Sequence, residues 1–143
     1  MDEIDNRLLA ALAADASQST TALARHLGLA RSTVQARVEK LKRSGVIAGY
    51  TIRLGAEISR RRIRATVLLQ IEPRSTAAVL SRLKSMPEVE SCATSTGRVD
   101  LILSVVTEET ARLDALLDQI GTIPGVRTTE SLIQLALKWD RRI

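Results

Sequence analysis

The sequence predicts an α+β protein: an N-terminal three-helix, winged-type helix-turn-helix domain followed by a C-terminal ferredoxin-like βαββαβ domain. Three observations carry that prediction. The stretch from Ser19 to Gly49 reads as two short amphipathic helices joined at Gly28 and followed by a basic exit. Six positions between Leu80 and Ser91 recur in kind 37 residues later. The positive excess is confined to one half: Met1 to Arg64 holds 12 Lys/Arg against 6 Asp/Glu, whereas Ala65 to Ile143 holds 9 against 10.

The first helix is expected over Asp5–Ala14, with Ile4, Leu8, Leu9 and Leu12 on one side. Ser19 suits the N-cap of the next helix, where its hydroxyl can accept a free backbone N–H. Ala22 stands where Glu would complete a capping box, so the box is half formed. Leu23 and Leu27 make an i, i+4 apolar pair; Val34, Val38 and Leu41 make a stripe on the third helix, and the two stripes can close on each other. Ala30 occupies the cap position of that third helix, which leaves its start less sharply set. Ser44-Gly45 ends it. Val46–Leu54 then reads as a strand and Gly55–Arg62 as a hinge. The expected organisation is a DNA-binding domain over residues 1–45, a strand and hinge over 46–63, and a second domain over 64–143.

That second domain is built on the repeat. Leu80, Leu83, Met86, Pro87, Val89 and Ser91 return as Leu117, Ile120, Ile123, Pro124, Val126 and Thr128. Each half is a strand, an amphipathic helix, a Pro-containing turn and another strand. Strands are expected over Arg64–Ile71, Val89–Thr96, Asp100–Thr107 and Val126–Leu137, and helices over Ser75–Ser85 and Glu109–Ile120. The order is the split β-α-β unit of a ferredoxin-like fold. Thr66, Leu68 and Gln70 alternate with Val67, Leu69 and Ile71, so helices cover one face of the sheet while the other is expected to keep much apolar surface. Such a face is normally covered by another chain, so a homodimer is expected.

Composition excludes several classes. With 143 residues and 45% hydrophobic content the chain can build real cores. No apolar run approaches the ~18 residues that cross a bilayer, so no membrane partner is expected. The opening MDEIDNRLLAALAAD is acidic and lacks the basic start of a signal peptide; with a single cysteine, Cys92, this points to a reducing cytoplasm. His26 is the only histidine, and neither it nor Cys92 has a local partner for a metal cluster or a nucleophile–base pair. No catalytic residues, metal or cofactor are therefore expected. An RNA-binding sheet needs aromatic platforms, and this chain has no Phe and only Tyr50 and Trp139. Those two are read as packing residues at domain seams, Cys92 as a small core or interface residue, and His26 as a surface or phosphate-side residue.

Two sites carry chemistry. Closing the helical stripes leaves Arg31, Ser32, Thr33, Gln35 and Ala36 on an outward face near the N-terminus of the third helix. That is where a helix-turn-helix inserts into the major groove of double-stranded DNA. Arg31 and Gln35 can reach guanine and adenine edges; Ser32 and Thr33 suit bases or phosphates. Lys40, Lys42 and Arg43 suit phosphates, which add affinity without sequence information. The other reading of each is a solvated helix face. Arg37, beside the apolar stripe, is placed for an ion pair within the chain. The cluster Arg60-Arg61-Arg62-Ile63-Arg64 is either a flanking phosphate contact or a charged hinge with no ligand. The second site is Thr94, Ser95, Thr96, Gly97, Arg98, Val99 and Asp100. Gly97 lets a ligand approach backbone, turn N–H groups can hold a carboxylate, and Asp100 can pair with an ammonium group. Read plainly, TGRVD is also just a hairpin turn.

The opening DEIDNRLLAAL, the reader ALARHLGLARSTVQARVEKLKRSGVI and the later TSTGRVDLILSV, in this order and spacing, resemble the leucine-responsive regulatory protein/asparagine regulator (Lrp/AsnC) family along essentially the whole chain. The resemblance implies a transcriptional regulator, sheet-to-sheet dimers that assemble into tetramers or octamers, and a free amino acid bound between dimers at the second site. The chain departs from the family pattern at Val99, where an aromatic is frequent, and Arg98 disfavours a basic effector. The alternative function is an amino-acid-sensing interaction protein without specific DNA activity.

Overall fold

A computed structural model describes residues 1–139; the last four residues of the expected second domain lie outside the described residues. The chain divides into two compact units, Met1–Arg53 and Leu54–Trp139.

The first unit contains α1 (Glu3–Ala14), α2 (Thr20–Leu27) and α3 (Arg31–Arg43). Helix α1 starts two residues before the sequence-based boundary because Asp2 and Asp5 form a reciprocal capping box, each side chain accepting the other's backbone N–H. The cap at Ser19 forms as expected, its Oγ accepting the N–H of Ala22 at 3.1 Å. Ala30 supplies no side-chain cap to α3. Leu8, Leu12, Leu23, Leu27, Val34 and Leu41 are buried together and form one core.

The strand expected over Val46–Leu54 is not formed, and the position of a wing is a loop. Alternating apolar residues do not make a strand without a neighbouring edge to complete its hydrogen bonds, and no described strand pairs with this segment. The expected hinge instead contains a single helical turn and a little more, α4 (Ala56–Arg60).

The second unit comprises β1 (Ile63–Ile71), a 3-10 turn at Pro73–Ser75, α5 (Thr76–Lys84), β2 (Val89–Thr94), β3 (Leu101–Thr107), α6 (Thr110–Gly121) and β4 (Val126–Ile133). The sheet order is β2-β3-β1-β4 with every neighbouring pair antiparallel. This is the ferredoxin-like arrangement expected from the repeat. The repeat extends to single hydrogen bonds. Ser85 Oγ donates to the Arg82 carbonyl at 2.6 Å, and Thr122 Oγ1 donates to Gln119 at 3.0 Å. The N–H of Val89 donates to Met86 at 3.1 Å, and that of Val126 to Ile123 at 3.0 Å. It breaks where Gly125 stands in the place of Glu88. At φ +98 a Cβ there would lie 2.3 Å from Ser75 Cβ, so this turn packs backbone against the 3-10 turn and admits no side chain.

Ala65, Val67, Leu69, Leu101, Leu103 and Val105 face α5 and α6 and are buried with Val79, Leu83, Leu116 and Ile120. The opposite face is more mixed than the alternation predicts. One cross-strand row is Ala93–Ile102–Leu68 and ends on Glu130; the next is Ser91–Ser104–Thr66–Leu132. Leu132 is 53% exposed. Strand β4 stops at Ile133 rather than Leu137 because its partner β1 runs out: Ile133 pairs with Ala65 and Gln134 N–H reaches the Arg64 carbonyl. Leu135, Leu137 and Trp139 are left exposed. Cys92 is exposed on the edge strand β2 rather than in a core, and Tyr50 is half exposed.

Candidate functional site

Helix α3 presents its predicted reader residues to solvent. Arg31, Ser32, Gln35, Ala36, Lys40 and Arg43 are exposed, and Thr33 is half-buried. At ~100° per residue, Ser32, Ala36 and Arg43 fall on the row opposite the buried Val34 and Leu41. Arg31 and Gln35 flank that row and line a groove of about 280 Å3, shared with Gln18, Thr20 and Tyr50. The two side chains capable of bidentate hydrogen bonding thus stand together.

Charge on α3 is sorted by local pairing. Arg37 Nη1 donates to Asp2 at 2.6 Å and to Asp5 at 2.8 Å, and Asp5 is only 4% exposed. Arg37 therefore ties α3 to the cap of α1, as its position beside the apolar stripe predicts. The Arg37 guanidinium, helped by the Asp2 N–H, holds the Asp5 carboxyl below its ordinary value. Asp2 is lowered first by the N–H of Asp5 and then by Arg37. Lys42 lies 3.5 Å from Glu39 and 5.5 Å from the centre of the Tyr50 ring. Among the described residues, Arg31, Lys40 and Arg43 enter no ion pair and remain available to an anion. Sequence reasoning passed over Glu39, an exposed carboxylate one turn beyond Gln35. Its i, i+3 spacing to Lys42 was the available indication of a local pair.

The second site is a closed turn between β2 and β3. Thr94 ends β2, Ser95 and Val99 are half-buried, and Thr96, Gly97, Arg98 and Asp100 are exposed. Gly97 has φ +97, and a Cβ built there meets nothing within 4 Å. Its requirement is conformational, and the space beside it is open. Asp100 has a structural partner that the sequence does not reveal: its Oδ2 accepts the N–H of Ile71 at 2.9 Å. Leu69 is the last β1 residue paired with β3, and the carboxylate takes the Ile71 N–H that points the same way just past the end of that pairing. Arg98 is paired with Glu130 at 2.6 Å, which offsets the cationic character expected of the turn. Its carbonyl accepts from Gln70 Nε2, and Gln70 Oε1 accepts from Thr128 at 2.9 Å. These links carry the turn over the open face of the sheet, where Gln70, Thr128 and Glu130 project. Among the described residues no cluster of His, Cys, Asp and Glu is arranged to hold a metal, and no helix is long and apolar enough to cross a membrane.

Comparison with known proteins agrees with both halves. Residues 1–42 match the AsnC-type helix-turn-helix domain and residues 64–142 the Lrp/AsnC ligand binding domain. The chain is 34% identical to the HTH-type transcriptional regulator LrpA of Mycobacterium tuberculosis over 143 residues, covering 99% of this chain and 95% of that protein. Among solved structures it is similar to AsnC of E. coli, with a TM-score of 0.89, 27% identity and coverage of 100% and 97%. It shares its fold with a transcriptional regulator of Neisseria meningitidis solved in complex with L-Met, with a TM-score of 0.90, 21% identity and coverage of 98% and 93%. A helix pair with unpaired cations on its second helix, joined to a split βαββαβ unit, is thus matched domain by domain, and the chain belongs to the Lrp/AsnC family of helix-turn-helix transcriptional regulators.

Proposed function

We propose that this chain regulates transcription from the cytoplasm, by binding rather than catalysis, and reads duplex DNA through α3. Arg31 and Gln35 contact base edges, Ser32, Thr33 and Ala36 line the groove contact, and Lys40 and Arg43 hold phosphates. The observation that carries this reading is the sorting of charge on α3. Arg37 and Lys42 lie beside carboxylates, while Arg31, Lys40 and Arg43, on the solvent side, do not. The working division is residues 1–45 for DNA, 46–63 as linker and 64–143 for effector and assembly. Sheet-to-sheet pairing gives a homodimer with two readers, which assembles further to a tetramer or octamer.

The turn Thr94–Asp100 is the place for a free amino acid. Backbone N–H groups around Gly97 receive the carboxylate, and the second oxygen of Asp100 receives the ammonium. With Arg98 neutralised by Glu130, a neutral amino acid fits this turn better than an acidic one. The L-Met carried by the Neisseria regulator supports that class of ligand.

Binding isotherms on the mapped operator and on random duplex test the α3 assignment. Gln35→Ala is expected to lose ~1–3 kcal/mol of preference for particular bases. Lys40→Ala is expected to weaken all duplexes alike and flatten the salt dependence. Equal loss of specific and random binding in the Gln35 variant would remove it from the base-reading set.

A further inference from the structure

The arginines from Arg53 to Arg64 resolve into two groups. Arg64 is paired with Glu90 at 2.6 Å, and half-buried Arg62 lines a depression with Glu88, Glu90 and Glu108. Glu88 is itself taken by Arg112. Arg64 thus answers a carboxylate of its own domain, and Arg62 faces three of them without an ion pair among the described residues. Arg53, Arg60 and Arg61 form the other group. All three are exposed, and among the described residues Arg53 and Arg61 enter no ion pair. Arg60 lies 3.9 Å from Glu57, with side chains 78% and 85% exposed, a pairing that water weakens to little.

We propose that Arg53, Arg60 and Arg61 form a second DNA contact, gripping the phosphate backbone beside the half-site occupied by α3. The inference rests on the reading of α3 as the DNA-reading helix. Charge complementarity selects the partner. Three guanidinium groups that are unpaired or only loosely paired sit within nine residues, while Glu88 and Glu90 of the second domain already have arginine partners. Chain length keeps them close to the reader. Arg53 follows the last residue of α3 by ten positions, at most ~35 Å of extended chain, which is about one turn of duplex. The following α4 adds only ~1.5 Å per residue. No strand or long helix carries these arginines into a groove, so they meet phosphates and contribute affinity without base preference.

The test uses the full chain and two mixed-sequence duplexes, of ~12 and ~40 bp, titrated between ~50 and ~200 mM salt. The wild type is compared with R53Q/R60Q/R61Q and with a charge-matched control, R74Q/R82Q/K84Q. Each lost phosphate contact should reduce the slope of log K against log salt by ~0.9. For three contacts the wild-type advantage on the long duplex should shrink by ~40-fold across that salt range. The short duplex, which has no flank, should show little difference, and the control variant should keep the wild-type slope. Gln35→Ala on the mapped operator is measured in parallel. If its base preference falls while the hinge variant keeps the wild-type slope, the hinge contact is overturned and the reader stands. An equal slope change in hinge and control variants would also overturn it, because the effect would then be one of overall charge. A hinge variant that changes only the assembly mass in light scattering would assign these arginines to contacts between copies of the chain and refute the proposal.

Discussion

Asp100 is claimed by two roles, and substitution separates them. The N–H of Ile71 is donated to Asp100 Oδ2 at 2.9 Å, and Ile71 is only 5% exposed. Alanine at position 100 leaves that N–H without an acceptor in a buried setting, at a cost of ~1–3 kcal/mol. A domain of this size loses ~4–8 °C of melting temperature per kcal/mol, so Asp100→Ala should lower the transition of the second domain by at least ~4 °C. Asparagine keeps an acceptor oxygen but loses the charge. The difference between a charged and a neutral hydrogen bond is ~1 kcal/mol, so Asp100→Asn should fall between alanine and the wild type. Amino-acid affinity should follow a different order. The ammonium of a ligand needs the negative charge, and losing a contact of ~1.4 kcal/mol weakens binding ~10-fold. Asp100→Asn is therefore expected to remain largely folded and yet bind a neutral L-amino acid at least ~10-fold more weakly. Circular dichroism melting and calorimetry on the same preparations read both effects. An alanine variant that melts with the wild type would refute the structural role. An asparagine variant that binds as tightly as the wild type would remove Asp100 from the ligand site.

Two further outcomes follow from the geometry. Asp2 and Asp5 have carboxyls held below the ordinary aspartate value of 3.8 in the folded chain. Their stabilisation is fully present above that value and is lost as pH falls through the lowered folded values. The stability gap between the wild type and Arg37→Met should therefore be largest near neutral pH and close under acid; a gap that widens on acidification would contradict the ion-pair account. If the proposed dimer pairs through the open face of the sheet, Leu132→Lys with Ile102→Lys should convert it to monomer, since burying each apolar side chain contributes ~1.5–3 kcal/mol. Light scattering that finds the dimer mass unchanged would place the interface elsewhere.

The sequence by itself determined most of the helices and the order of the sheet domain, because apolar spacing and an internal repeat are legible along the chain. Apolar spacing placed α2, α3, α5 and α6 to within a residue or two, and Ser19 marked a cap that forms. The 37-residue repeat carried the topology of the sheet down to equivalent turn hydrogen bonds. The outward residues of α3 and the pairing of Arg37 with a carboxylate were also legible, since both follow from position around one helix. Tertiary structure decided whatever depends on a partner far along the chain. Asp100 reads as a free carboxylate in sequence but accepts the Ile71 N–H across 29 residues. Arg98 reads as a free cation but meets Glu130 across 32. The alternation in Val46–Leu54 and Leu135–Leu137 has the period of a strand, yet neither segment is one, because a strand exists only where a neighbouring edge takes up its backbone N–H and C=O groups.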